Sequence, residues 1–510
     1  MNRLPPELCD RIVSYIVPLK PRACYVDPTA RPRDDPPPRV STLSTLSREW
    51  KSSIERHAFR TLSITNDDLD DLERIVTIWR RDYVRELHLA VNFPDYDNEL
   101  SKEYETNDER AANNAIATNA MKHLFFILGT WGADANLKLH LSFTSPGDKV
   151  RDERGWLMYR GINEKRYEYS FVKLDGVEEF AEVPRVTMLY TYGTRPVELH
   201  SLYSLTSRLP RATYAQWDTV DAEPFARLRR EQRDRFVLAV ESNPCRIPPV
   251  LHVTIEGPAR NFGEALPNLT TPYTYDRVSS AFRQLSLGLT KFHFEGMADK
   301  TLLWPSPAQA QIVEPYWQNL TSLDIELSLQ SPLGKWYFLS EEGSVPSDVP
   351  ILNDVPGFLP PGYYDTDEES IEEMAIEYAE SLQEPVDDDG LADIKDHFRT
   401  RPNDELMVPL LAAFARATGA MPSLRSAQLQ FWNVGRYSPF YVAFAPPGRM
   451  AGDEDQLPEE ERPPKTAPRL VAHTWEWRMD AELEDLFRRA GAGLHGVETA
   501  VRYLPELYGP

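Results

Sequence analysis

Three groups of residues in this 510-residue chain have types and spacings that could do chemistry. The densest is cationic: Arg227, Arg229, Arg230, Arg233 and Arg235 crowd one short stretch of an acidic sequence. Clustered guanidinium groups bind phosphate through paired hydrogen bonds, so this stretch is a candidate for holding a phosphorylated peptide or another part of a substrate. The competing reading is a solvated helix face paired with Glu231 and Asp234. The second group is acidic. Asp365, Asp367 and Glu369 are spaced as the first three ligands of a calcium loop, but Ser370 stands where the turn needs glycine and Ile376 where a glutamate must close the shell. A solvated acidic loop is expected there. The third group is histidine: His88, His140 and His293 sit inside apolar alternations that read as strands, where hydrogen-bonded core imidazoles are expected rather than ligands.

Other reactive patterns are missing. The three cysteines, Cys9, Cys24 and Cys245, form no C-x-x-C pair, so neither a disulfide framework nor a thiolate zinc site is expected. The sequence contains no His-Glu-x-x-His, nucleophile elbow, phosphate-binding loop or dinucleotide glycine fingerprint. Trp432, Trp475 and Trp477 could line a pocket, with core packing the expected use. These features predict a non-catalytic protein with no cofactor and no metal.

Charge and hydropathy narrow the class further. Lys and Arg total 56 against 79 acids, a net charge of −23 that would be repelled by a phosphate backbone, so no nucleic-acid partner is expected. With 41% hydrophobic and 11% aromatic residues, the chain can bury a large core. No apolar run approaches the roughly 18–20 residues of a membrane helix, and Glu7, Asp10 and Arg11 interrupt any secretory core. The expected setting is cytoplasmic or nuclear, away from membranes.

The elements that must position such residues fall into two patterns. In the first, Leu8, Ile12 and Ile16 share a helical stripe behind Leu4-Pro5-Pro6-Glu7, and Leu43, Leu46, Trp50 and Ile54 repeat the spacing after a proline-rich segment over 18–39. In the second, apolar-x-x-apolar-x-apolar triplets recur. They are Phe59, Leu62 and Ile64; Val84, Leu87 and Leu89; Val183, Val186 and Met188; Leu289, Phe292 and Phe294; Leu320, Leu323 and Ile325; and a degraded copy at Leu470, His473 and Trp475. That is the leucine-rich-repeat spacing of a strand with its entry residue. Helical faces follow some copies, as at Leu69, Leu72, Ile75, Val76 and Trp79 over 68–80. The fold class expected is α/β: a helical module over 1–58, then an irregular leucine-rich-repeat-like solenoid of strand–helix units over 59–510. Proline-rich and acidic excursions interrupt it at 349–396 and 445–468, and a helix over 480–489 caps its end.

The N-terminal pattern resembles the F-box, the module that docks substrate receptors onto a Skp-type adaptor in SCF ubiquitin ligases. Leu4, Pro5, Glu7, Leu8, Ile12 and Ile16 match its first half; Leu43, Leu46, Ser47, Arg48 and Trp50 match its second. The proline content and acidic insertions also resemble those of F-box-like proteins in filamentous fungi. The resemblance implies an adaptor contact through Leu4, Pro5, Glu7, Leu8, Ile12, Ile16, Leu43, Leu46 and Trp50. It also implies a cullin–RING scaffold reached through that adaptor, and a protein substrate held by the repeat body. A repeat scaffold without a ligase role is the alternative, and an enzyme with a dispersed active site a more distant one.

Overall fold

Strand alternation dominates the architecture. The structure is a computed structural model that describes residues 8, 10–13, 47–96, 100, 105–151, 157–159, 171–192, 195–221, 226–242, 244–257, 267–309, 314–339, 401–431, 439–457, 459–460 and 462–504. It is mixed α/β, with most of its long strands parallel. The chain divides into two units, Met1–Pro196 with Arg208–Ala212, and Val197–Ser207 with Thr213–Pro510. Residue 58, where the helical module was expected to end, lies inside the first unit. The acidic excursion at 349–396 lies outside the described residues.

In the first unit, helix Arg48–Ala58 begins at Ser47, whose hydroxyl accepts the Trp50 amide. Strands β1 (Thr61–Thr65), β2 (Glu86–Asn92), β3 (Leu137–Thr144) and β6 (Val186–Tyr192) then form parallel neighbours in that order. A short antiparallel hairpin, β4 (Lys149–Arg151) with β5 (Leu157–Tyr159), precedes β6. Parallel strands require crossovers, and helix Asn107–Gly129 supplies one between β2 and β3. A reciprocal Thr106–Glu109 capping box starts this helix, and Met121, Leu124, Phe125 and Leu128 are buried on it. Leu87, Leu89, Leu139, Leu141, Phe143 and Leu189 are buried on the strands. With a period of two, the other face takes Glu86, His88, Lys138, His140, Tyr190 and Tyr192.

The helix expected over 68–80 is two pieces, Leu69–Ile75 and Ile78–Arg81. Four consecutive β-branched residues, Ile75-Val76-Thr77-Ile78, sit at the break, where their stiff χ1 opposes helix formation. Leu69, Leu72 and Val76 are buried, but Ile75, Ile78 and Trp79 are exposed, so the predicted apolar face is only half used.

In the second unit, β7 (Tyr214–Val220), β8 (Val250–Glu256), β9 (Lys291–Gly296) and β10 (Ser322–Leu327) are parallel. Helices Ala226–Ser242 and Arg277–Ser286 lie between the first three. Two small antiparallel pairs follow, β11 (Gln330–Ser331) with β12 (Lys335–Trp336), and β13 (Phe338–Leu339) with β14 (Arg401–Pro402). Helix Asp404–Thr418 leads to β15 (Ser426–Phe431), parallel to β10. Strand β16 (Phe440–Ala445) then runs antiparallel to both β15 and β17 (Arg469–His473). Helix Ala481–His495 precedes β18 (Ala500–Tyr503), which pairs parallel with β17.

Most expected triplets mark real strands. Val84, Leu289 and Leu320 are buried entry residues ahead of β2, β9 and β10. Two copies differ. Met188 faces away from the core because the β3–β6 register shifts at Leu137/Lys138, and Leu189 is buried in its place. The copy at Leu470, His473 and Trp475 is no repeat strand: β17 is antiparallel to β16, and Trp475 lies past its end with φ of 52°. The expected loose excursion at 445–468 is partly core. Ala451 and Leu457 join a buried cluster with Tyr441 and Val471, and Arg469 donates to buried Glu454 at 2.9 Å.

Candidate functional site

Of the nine expected docking residues, Leu8, Ile12 and Trp50 are described; Leu4, Pro5, Glu7, Ile16, Leu43 and Leu46 lie outside the described residues. Leu8 and Ile12 stand one helical turn apart and are 45% and 36% exposed, while Val13 is fully buried. The carboxylate of Asp10 accepts from the Ser53 hydroxyl and from Arg56, each at 2.5 Å, and so ties this turn to helix Arg48–Ala58. Trp50 is half-buried on that helix.

The arginines do not make one open cationic patch. Arg229 donates to Asp221 at 2.6 Å, and Arg233 bridges Asp221 and Asp276 at 2.6 and 2.8 Å; both guanidinium groups are buried. Burial alone would raise the Asp221 carboxyl, but Arg229 and Arg233 hold it below its usual range. Arg230 donates to the Asn268 carbonyl and Arg235 to Glu198. For Arg229 and Arg233 the phosphopeptide reading is therefore replaced by an internal role. Their charge answers buried carboxylates, a pairing the sequence hid because Asp221 and Asp276 lie 8 and 43 positions away. The side chain of Arg227 is outside the described set.

Trp475 packs between Phe338 and Phe440, and Trp477 donates its indole N–H to Asp404. A cavity of about 420 Å³ is lined by Val240, Cys245, Ile247, Leu285 and Leu289 among others. Burial raises the Cys245 thiol, which keeps it a poor nucleophile.

The most concentrated chemistry lies in two rows of cross-strand histidines. In the first unit, His88 on β2 and His140 on β3 are direct partners in register. Their rings stack at 4.1 Å and 10°, and His140 stacks in turn on Tyr190 at 4.4 Å. Glu86, two residues before His88, places one carboxylate oxygen 3.2 Å from His88 Nε2 and 3.1 Å from His140 Nε2. The Tyr192 hydroxyl lies 3.2 Å from His88 Nδ1. Neither ring nitrogen of His140 makes an aligned hydrogen bond, although the residue is only 5% exposed. Burial holds His88 below the ordinary histidine range, and burial together with the charge of His88 brings His140 to about 4. Both imidazoles are neutral near pH 7. Among the described residues, Glu86, His88 and His140 have donor atoms close enough to share one cation.

In the second unit, His252 on β8 partners His293 on β9, with ring centroids 3.9 Å apart and tilted 49°. Asp324, the next residue along that row on β10, accepts from His293 Nδ1 at 2.9 Å. Asp218, Glu256, Glu295 and Glu326 share the same face. Burial, then repulsion from Glu256 and Glu295, pushes the Asp218 carboxyl up to about 6.

The sequence singled out His88, His140 and His293 and assigned them to the core, but gave no sign that they pair across strands. No family model matches the chain, and no curated protein matches it. The functional reading therefore rests on geometry and on the N-terminal residue pattern. No described helix is long and apolar enough to cross a membrane.

Proposed function

We propose that the protein is the substrate-recognition subunit of an SCF-type ubiquitin ligase. Its N-terminal helices dock on a Skp-type adaptor, and its strand–helix body acts as an irregular leucine-rich-repeat-like solenoid that holds a protein substrate. One observation carries the reading. Leu8 and Ile12 project into solvent from a turn that Asp10 anchors to helix Arg48–Ala58. Two large apolar side chains on one exposed stripe, above a polar anchor, are what a helix-binding partner would cover. The succession of parallel strands with buried entry residues Val84, Leu289 and Leu320 supports the repeat-like body. In this reading the chain contributes proximity: it raises the local concentration of substrate lysines near the charged enzyme, and other subunits do the chemistry.

Co-expression with a Skp-type adaptor tests it. The full chain should purify as a stable complex, and Leu8→Asp should weaken that complex by about 2–4 kcal/mol, as a central interface anchor does. Ile12→Asp should act in the same direction. A complex that survives both substitutions removes the docking assignment. A stable complex that transfers ubiquitin to no co-purifying protein favours the scaffold reading.

A further inference from the structure

We propose that Glu86, His88 and His140 form a binding site for a divalent cation of the zinc class. The site draws on two adjacent parallel strands and does not depend on adaptor docking. Register places His88 of β2 opposite His140 of β3, and the period of two brings Glu86 to the same face as His88. The carboxylate oxygen therefore sits between two imidazole Nε2 atoms, at 3.2 and 3.1 Å. Ligand atoms bonded to one tetrahedral zinc at about 2.0–2.2 Å lie roughly 3.3–3.5 Å from each other, so both carboxylate–imidazole distances are already near the edge length of such a shell, and all three donors lie within 4.8 Å of one another.

The state of His140 points to a ligand independently. It is almost wholly buried, its Nδ1 has no hydrogen-bond partner, and its Nε2 has only the Glu86 carboxylate, 3.1 Å away and poorly aligned. A buried polar group left without a hydrogen bond is costly, and a bond to a metal would satisfy one of its nitrogens. His88 is oriented from behind: the Tyr192 hydroxyl faces Nδ1 and leaves Nε2 directed at Glu86, the outer-sphere arrangement that fixes a ligating imidazole. Two imidazoles and one carboxylate suit zinc, cobalt or nickel over magnesium or calcium. Three protein ligands leave a fourth position for water. Glu86 is half-exposed and gives the ion a way in, while the exposed ammonium of Lys138, in register with Glu86, is an opposing charge that solvent screens.

Ring geometry adds a requirement. An imidazole lone pair lies in the ring plane, and two parallel planes cannot both point at one ion. One ring must turn about its Cβ–Cγ bond. His88 is held by Tyr192 and Glu86, so His140 is the ring that turns, and its stack on Tyr190 is broken as it does.

The test titrates chelator-stripped, full-length protein with Zn²⁺ alone by calorimetry at neutral pH, and with Co²⁺ while following visible absorption. One ion should bind per chain, with the intense absorption of tetrahedral cobalt and a change in tyrosine fluorescence on uptake. Glu86→Gln, His88→Ala and His140→Ala should each weaken binding at least 10-fold, while His252→Ala in the other row should leave it unchanged. His140→Phe keeps an aromatic ring in the stack and serves as the second variant if His140→Ala does not fold. Absence of saturable binding, or binding retained in Glu86→Gln and His140→Phe, overturns the proposal.

Discussion

Two histidine pairs occupy equivalent positions in the two units, and the placement of one carboxylate makes them behave differently. His88 and His140 face each other across β2 and β3, as His252 and His293 do across β8 and β9. In the first pair the carboxylate comes from the same strand, two residues earlier, and one of its oxygens lies beside both rings, 3.2 Å from His88 Nε2 and 3.1 Å from His140 Nε2. In the second it comes from the next strand in the same row, and Asp324 bonds one ring squarely at 2.9 Å. His293 is accordingly the imidazole held above its ordinary range. Burial would lower it, but the hydrogen bond and charge of Asp324 prevail, while burial and the charge of His293 leave His252 at about 4. A carboxylate across the sheet makes an ion pair, whereas one along the strand is shared between two imidazoles. Buried carboxylates, by contrast, are matched in both units: Asp221 and Asp276 of the second by guanidinium groups, and Glu105 of the first by Arg195.

The most disruptive way to probe this contrast is to unmatch a buried charge. Arg233→Ala leaves Asp276 without its cation beside Asp299, a carboxyl that burial and Asp276 already hold at about 6. Breaking a buried pair from one side costs about 3–5 kcal/mol, and chemical denaturation at neutral pH should show a loss of that size. The sign with pH follows from linkage. Without Arg233, Asp299, already raised by burial and the charge of Asp276, should be raised further, so the folded state takes up a proton that the unfolded chain has released and part of the loss should return under mildly acidic conditions. A variant with wild-type stability would mean that the pair is not truly desolvated.

A second probe sets the two rows against each other directly. His140→Phe keeps a ring between His88 and Tyr190 and removes two buried nitrogens without aligned partners. It should therefore stabilise the protein, by about 1 kcal/mol, while abolishing cation binding. His293→Phe should do the opposite, since it deletes the partner of Asp324. Thermal melts of the two variants, run side by side, decide the matter. If both variants destabilise equally, the rows are equivalent and the distinction falls.

How far these rows could be read beforehand depends on which interactions are local. Val84-x-x-Leu87-x-Leu89 and Leu320-x-x-Leu323-x-Ile325 announce their strands because entry residue and alternation lie within six positions. Strands β7 and β8 passed unnoticed: Ala212 and Ala215 are too small to stand out, and Pro248 occupies the entry position of β8. The break at Val76–Thr77 needed weight on stiffness as well as periodicity. His88 and His140 are 52 positions apart in sequence, and their pairing is fixed by a crossover whose length no local pattern encodes. For the same reason the arginines of helix Ala226–Ser242 read as a surface cluster, when Asp276 waited 43 positions from Arg233. Of the proposed docking face, the apolar stripe at Leu8 and Ile12 was legible from spacing alone, but its anchor through Asp10 to Ser53 and Arg56 was not.

The finest probe is Asp324→Asn, which removes the charge that separates the two rows and leaves the backbone ladder intact. The Asp324 side chain is 43% exposed, so the stability change should stay below about 1 kcal/mol. Its direction is set by linkage. His293 is raised in the folded state, so its contribution is fully present below about pH 6.5, the ordinary histidine value, and is lost as pH rises through the folded pKa. The variant should thus be weaker than wild type under mildly acidic conditions and indistinguishable at higher pH. Resolved imidazole resonances give the sharper readout: with Asp324 neutral, burial governs His293 as it governs His140, and its titration should move from above the ordinary value to below it. His252 should move little, because the substitution removes an attraction to Asp324 and a repulsion from charged His293 together. A His293 that still titrates above its ordinary value in Asp324→Asn would place the difference between the rows in Glu295 and Glu326 instead, the other acids that raise it.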